Sequence, residues 1–176
     1  MLKEGDVQVY TGDGKGKTTA AMGLAIRAAG EGLKVGIIQF LKARPTGEIF
    51  SIEKLDNIET FRFQKSTKFT WELNEEERKI YIDETREAYN FAMEMIKERK
   101  YNLLILDEIL ASRNEAFLTT EDILKLIDNK KSDMELVITG RNAPDELIER
   151  ADLVTEMKMV KHYYEKGVNQ RKGIEF

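Results

Sequence analysis

Residues 11–19 read TGDGKGKTT, between a strand-like run at 6–10 and a helix-like run at 18–29. Strand, glycine-lysine loop, helix is the order that builds a phosphate cradle. Gly12, Gly14 and Gly16 allow a tight turn with several N–H groups aimed inward. The N-terminus of the following helix adds its partial positive charge. Lys17 sets a cation among phosphate oxygens, and Thr18 is placed to put its hydroxyl on Mg²⁺. Thr19 and Lys15 are further candidate contacts, and Asp13 lies within the same loop. The usual pattern has a glycine five residues before Gly16, where this chain has Thr11. A tighter loop, with the triphosphate in a changed pose, is the expectation. A glycine-rich turn without a ligand is the competing interpretation.

The rest of the chain alternates strand and helix patterns. Ala20, Ala21, Leu24, Ala25 and Ala28 supply helix propensity and small packing surfaces after the loop. Residues 35–41, VGIIQFL, are nearly continuously apolar, as in a strand covered on both faces. Residues 42–48 predict a loop punctuated by Pro45 and Gly47. Residues 58–63 alternate as a strand. Asn74 with Glu77, and Thr119 with Asp122, form capping boxes that open a long helix to about 97–100 and a shorter one to about 128. Strands are expected at 102–106, 135–139 and 152–159, with a short helix opened by Pro144, and the tail is polar and irregular. This order predicts a three-layer α/β/α fold of the P-loop NTPase type, with a mainly parallel sheet and its ligands at the carboxyl edge. The expectation is one domain over 1–176.

The run LLILDE ends in Asp107 and Glu108, where such a fold would hold Mg²⁺. Side chains alternate along an undistorted strand, so only one of the two should reach the site. Asp107 is the favoured ligand and Glu108 the alternative. Arg27 on the helix after the loop, and Arg141 after the 135–139 strand, are candidate nucleotide contacts. Composition excludes much else. The chain has 176 residues, no cysteine and one histidine, so thiolate metal sites, disulfides, a cysteine nucleophile and multi-histidine sites are ruled out. A net charge of −4 argues against non-specific nucleic-acid binding. No apolar run is long enough for a membrane span, and MLKEGDVQVY lacks a secretory h-region, so a cytoplasmic location is expected.

TGDGKGKTTAA, VGIIQFLK, KFTWE, LLILDE, ITGRNAP, ADLVTEMKMVKH and KGIEF occur in this order. Together they resemble the P-loop ATP:cob(I)alamin (corrinoid) adenosyltransferases. The resemblance implies that a reduced corrinoid's cobalt(I) attacks the 5′ carbon of ATP and that triphosphate leaves. It also implies an unusual ATP orientation, a homodimer and an external flavin-type reductase or electron donor. Phe69 and Trp71 match the aromatics that pack under the corrin ring and exclude its lower axial base. Glu48 matches a glycine-glutamate loop, His162 falls in a matching VKH run, and residues 160–176 match a substrate-covering end. The sequence departs at Asp13, where asparagine is commoner, after Glu108, and around Tyr163 and Tyr164. Lys17 and Thr18 on the leaving group, with Phe69 and Trp71 at the corrinoid, would carry catalysis.

Nucleophilic cobalt(I) needs no general base, which suits this residue set but does not decide it. A P-loop small-molecule kinase or NTPase uses the same loop, and a non-catalytic ATP and corrinoid carrier would bind both without turnover. A GTPase would require an N/T-K-x-D type signal, which the sequence lacks.

Overall fold

The computed structural model describes residues 3–44 and 46–175. Pro45, used above as loop punctuation, and Phe176, the end of KGIEF, lie outside the described residues.

Six strands form one sheet in the order β3-β2-β4-β5-β1-β6. They are β1 (Val7–Thr11), β2 (Val35–Gln39), β3 (Ile58–Arg62), β4 (Leu103–Asp107), β5 (Glu135–Thr139) and β6 (Leu153–Glu156). Every described pairing is parallel. All residues of β2 and β4 are buried, as expected for strands with a layer on each face.

On one face, α1 (Lys17–Gly30) packs Ala21, Met22, Ala25 and Ala28 on Val35, Ile37, Leu103 and Ile105. Ile52 of α2 (Gly47–Ile52) joins the same cluster. On the other face lie α3 (Glu75–Glu98), α4 (Ile109–Asn114), α5 (Thr120–Asn129) and α6 (Asp145–Arg150). Their buried residues meet Ile38, Leu104, Leu106, Leu136 and Ile138. The small side chains of α1 allow a close approach to the sheet, so α1 starts directly over the ends of β1 and β4.

Both expected capping boxes are present. Asn74 accepts from the Glu77 N–H and Thr119 from the Asp122 N–H, each satisfying a donor the helix would otherwise leave free. The 42–48 loop is shorter than expected, because α2 begins at Gly47. Ile49 and Ile52 are fully buried, and that burial organises a helix too short to show a period in sequence. α4 went unforeseen for the same reason: Ile109, Leu110 and Ser112 are buried along one short turn. Two strands are shorter than expected by two residues or more. β2 ends at Gln39 and β6 at Glu156, where the chain turns toward the site.

Leu106 is fully buried beneath the helices of the second face. Leu106→Ala should cost about 2–5 kcal/mol, the range for a buried leucine leaving a cavity. A chemical-denaturation midpoint measured beside the unsubstituted protein checks this value.

Candidate active site

The last residues of three neighbouring strands, Gln39, Asp107 and Thr139, are polar and have no exposed surface. They bond to one another. Asp107 Oδ1 accepts from Thr139 Oγ1 at 2.9 Å and from Thr18 Oγ1 at 2.8 Å. Its Oδ2 accepts from Gln39 Nε2 at 3.2 Å and from Lys42 Nζ at 2.7 Å. Thr139 Oγ1 also accepts from the Glu108 N–H at 2.8 Å. Four donors around one buried carboxylate offset the cost of removing it from water. The same network fixes the first turn of α1 to the sheet through Thr18.

The loop leading into α1 is braced from outside. The Gly14 N–H donates to the Met157 carbonyl at 2.7 Å, just past β6. A Cβ at Gly14 would lie 2.6 Å from that oxygen, and one at Gly12 would lie 2.5 Å from it. Gly12 also has φ +95°, so both close approach and backbone conformation require glycine there. Lys17 is buried, and its Nζ donates to the Gly12 and Gly14 carbonyls at 2.6 and 2.8 Å. Burial lowers the Lys17 pKa; the Glu108 carboxylate opposes this, Arg141 adds to it, and Asp13 opposes it.

Two cavities flank the loop. The larger, about 760 Å³, runs from Lys15–Thr19 past Met22 and Ile26 to Lys42, Thr46, Glu48 and Glu108. The smaller, about 530 Å³, is lined by Asp13, Arg141, Met159, His162, Tyr163 and Tyr164. The C-terminal segment passes between them. Lys15 Nζ donates to Tyr163 Oη at 3.1 Å, the Ile174 carbonyl at 3.2 Å and Glu175 Oε1 at 3.0 Å. Arg171, Tyr163 and Lys15 hold the Glu175 carboxyl well below the usual carboxylate range.

Gly12, Asp13, Gly14, Lys15, Gly16, Lys17, Thr18 and Thr19 therefore meet at one edge with Asp107, Glu108, Glu48, Arg141 and His162. Both acidic residues are present there, because Glu108 breaks the strand alternation assumed above. Its φ is +63°, and this left-handed turn brings it onto the wall of the larger cavity. Asp13 lies 4.0 Å from the Arg141 guanidinium. Glu48 accepts from Thr46 Oγ1 at 2.5 Å. His162 Nδ1 accepts from the Tyr164 N–H at 3.1 Å, capping a short 3₁₀ turn.

Arg27 falls elsewhere. It is exposed in the last turn of α1, near the end of the helix opposite the loop, and lines neither cavity. Phe69 and Trp71 do not line these cavities either. They stack on each other, with centroids 4.5 Å apart and planes 4° apart, and are 59% and 76% exposed. Glu72 holds this arrangement by accepting from the Phe69 N–H at 2.9 Å. The pair does not anchor the segment in the core, and it forms an apolar plate facing outward.

Sequence reasoning missed Gln39, Thr139 and Lys42 as parts of this edge, and it placed Glu175 there only as part of the 160–176 covering segment. The first two had a signal: each is a polar residue interrupting or closing an apolar strand pattern. Lys42 had none, because the left-handed turn at Leu41 after the strand brings it back.

A glycine-lysine loop wrapped on a parallel sheet, with a threonine and an acidic strand end beside it, defines a P-loop nucleotide-binding protein. The family described as ATP:corrinoid adenosyltransferase BtuR/CobO/CobP matches residues 3–176, and the chain belongs to it. It is 34% identical over 175 residues to the corrinoid adenosyltransferase of Pseudomonas aeruginosa, covering 99% of this chain and 85% of that one. It is 35% identical to a Sinorhizobium corrinoid adenosyltransferase, covering 99% and 81%, and 34% identical to that of Escherichia coli K12, covering 99% and 87%. Among solved structures it is similar to a KaiC-like protein from Pyrococcus horikoshii. The TM-score is 0.53 at 14% identity, covering 91% of this chain and 75% of that one, a likeness of fold alone.

Burial raises the Glu108 pKa above its usual value, and the charge of Asp107 adds to this, against Lys42, Lys17 and Arg141. A carboxyl with a raised folded pKa stabilises most below its unfolded value, near about 4.3, and loses that contribution as pH rises through the folded value. Glu108→Gln should therefore be more stable than the unsubstituted protein at pH 7, with the advantage disappearing toward pH 4. Thermal midpoints across that range provide the check.

Proposed function

We propose that this chain transfers the 5′-deoxyadenosyl group of ATP to the cobalt(I) of a corrinoid, releasing triphosphate. The observation that carries the proposal is the braced phosphate loop, opening on a cavity large enough for a nucleotide, in a chain of this family.

Lys17, Thr18, Thr19 and the loop N–H groups hold the triphosphate, with Lys15 at its edge. The cobalt(I) electron pair forms the bond to C5′, the C5′–O bond breaks, and triphosphate leaves with that bonding pair. This chain's residues align ATP and stabilise charge on the leaving group. Mg²⁺ fits here: the Thr18 hydroxyl and Asp107 carboxylate offer hard oxygens, Glu108 is nearby, and Gln39 Oε1 is buried without a hydrogen-bond partner. Phosphate oxygens and water would complete the coordination of such an ion. Bound there, Mg²⁺ would neutralise charge on the triphosphate.

Phe69 and Trp71 present a flat apolar face to the corrin ring and displace its lower axial base. Without that donor, cobalt(II) accepts an electron more readily, so an external flavin-type reductase or other donor can supply cobalt(I). Glu48, Arg141 and His162 border the substrates, and residues 160–175 cover them by closing on Lys15. The active form is a homodimer in the cytoplasm. No described helix is long and apolar enough to cross a membrane.

The direct test is anaerobic incubation with ATP and chemically reduced cob(I)alamin, following the cobalt–carbon absorbance and identifying the phosphate product. Adenosylcobalamin with intact triphosphate is expected. ADP or orthophosphate without adenosylation would support the kinase or NTPase account, and tight binding of both substrates without turnover would support the carrier. Trp71→Ala should cut turnover by more than about tenfold, or about 1.4 kcal/mol of barrier, when cobalt(II) and a reductant are supplied. With pre-reduced cobalt(I) its loss should be smaller. Equal losses under both conditions would remove the axial-base role.

A further inference from the structure

Lys42 lies beyond the end of β2 and outside the phosphate loop, yet it makes the shortest contact to Asp107. Two backbone features bring it there. The Phe40 N–H donates to the Asp107 carbonyl at 2.9 Å, continuing the β2–β4 ladder by one bond. Leu41 then takes φ +54°, a left-handed turn that an unconstrained leucine avoids. The turn places Lys42 Nζ 2.7 Å from Asp107 Oδ2.

The two partners differ in exposure. The Asp107 side chain has none, whereas that of Lys42 is 23% exposed and borders the larger cavity beside Lys17, Thr18 and Glu108. Thr18, Thr139 and Gln39, the other donors to Asp107, are neutral. Lys42 is therefore the one cation among the described residues that pairs with this carboxylate. A buried carboxylate requires such a counter-charge. A divalent ion drawn to the same carboxylate would supply it instead and would compete with the ammonium. Lys17 and Lys42 balance Asp107 and Glu108 in charge. A metal–triphosphate complex arrives with net negative charge, which leaves an ammonium on the cavity wall free to pair with phosphate.

We propose that Lys42 is an exchangeable counter-ion: it neutralises Asp107 before the metal enters, then leaves it for an oxygen of the metal-bound triphosphate. The inference rests on the proposed triphosphate site and adds a phosphate ligand from outside the loop. It also makes metal and nucleotide binding interdependent, because metal on Asp107 releases the cation that the nucleotide uses.

The test uses Mn²⁺ as a spin probe on the full chain, with Lys42→Met and Lys42→Arg. Without nucleotide, Lys42→Met should bind Mn²⁺ about tenfold tighter than the unsubstituted protein, since the competitor is gone. With Mn²⁺ present, it should bind ATP about tenfold more weakly. Lys42→Arg retains the charge and can donate two bonds to the carboxylate, so it should bind Mn²⁺ more weakly than the unsubstituted protein. Unchanged or weaker Mn²⁺ binding in folded Lys42→Met, or unchanged ATP affinity, would overturn the proposal. If Lys42→Met fails to fold, Mn²⁺ affinity in Lys42→Arg equal to or tighter than that of the unsubstituted protein overturns it. Asp107→Asn separates the two levels: Mn²⁺ binding unaffected there would remove the metal reading of Asp107 itself.

Discussion

A carboxylate with no exposed surface costs on the order of several kcal/mol unless donors and a counter-charge surround it, and the active edge is organised around meeting that cost at Asp107. The donors come from the ends of β2 and β5, the first turn of α1 and the turn after β2. Satisfying one group therefore fixes the relative positions of four segments. Shifting β4 by one residue would turn Asp107 to the other face and leave Thr18, Thr139 and Gln39 without their acceptor. The apolar strands supply most of the burial, while this polar knot helps specify their register.

From that knot the loop is held on both sides. Thr18 ties its helical end to the sheet, and Met157 accepts from its outer limb. The strand ends and the tail thus brace the loop through the protein's own contacts, a form of preorganisation. The lysines in and around the loop have internal partners: Lys17 the loop carbonyls, Lys15 the C-terminal segment and Lys42 Asp107. Under the proposed function, binding a triphosphate would exchange these internal partners for phosphate oxygens, so net affinity would reflect the difference between two sets of charge-assisted bonds.

Much of this was legible in the residues. Loop, helix and acidic strand end announced themselves through local chemistry, and both capping boxes marked helix starts because a cap acts over only a few residues. What sequence could not supply depended on the chain turning back. The left-handed residues Leu41 and Glu108 lack the glycine that usually marks such a turn, so neither the return of Lys42 nor the placement of both acidic residues at the site could be foreseen. Arg27 shows the converse: residue type suggested a ligand, but a helix of 14 residues carries it away from the loop. The stacking of Phe69 and Trp71 belongs to a 3₁₀ turn too short to give a periodic signal.

The family supplies the chemistry and the geometry supplies its local means, and they meet at the Thr18–Asp107 contact. The most direct measurement is a crystal structure of the protein with Mg²⁺ and a non-reactive ATP analogue. The account predicts triphosphate across the loop N–H groups, and the ion on the Thr18 hydroxyl with Asp107 bound directly or through one water. Triphosphate outside the loop, or an ion away from Thr18 and Asp107, would contradict it.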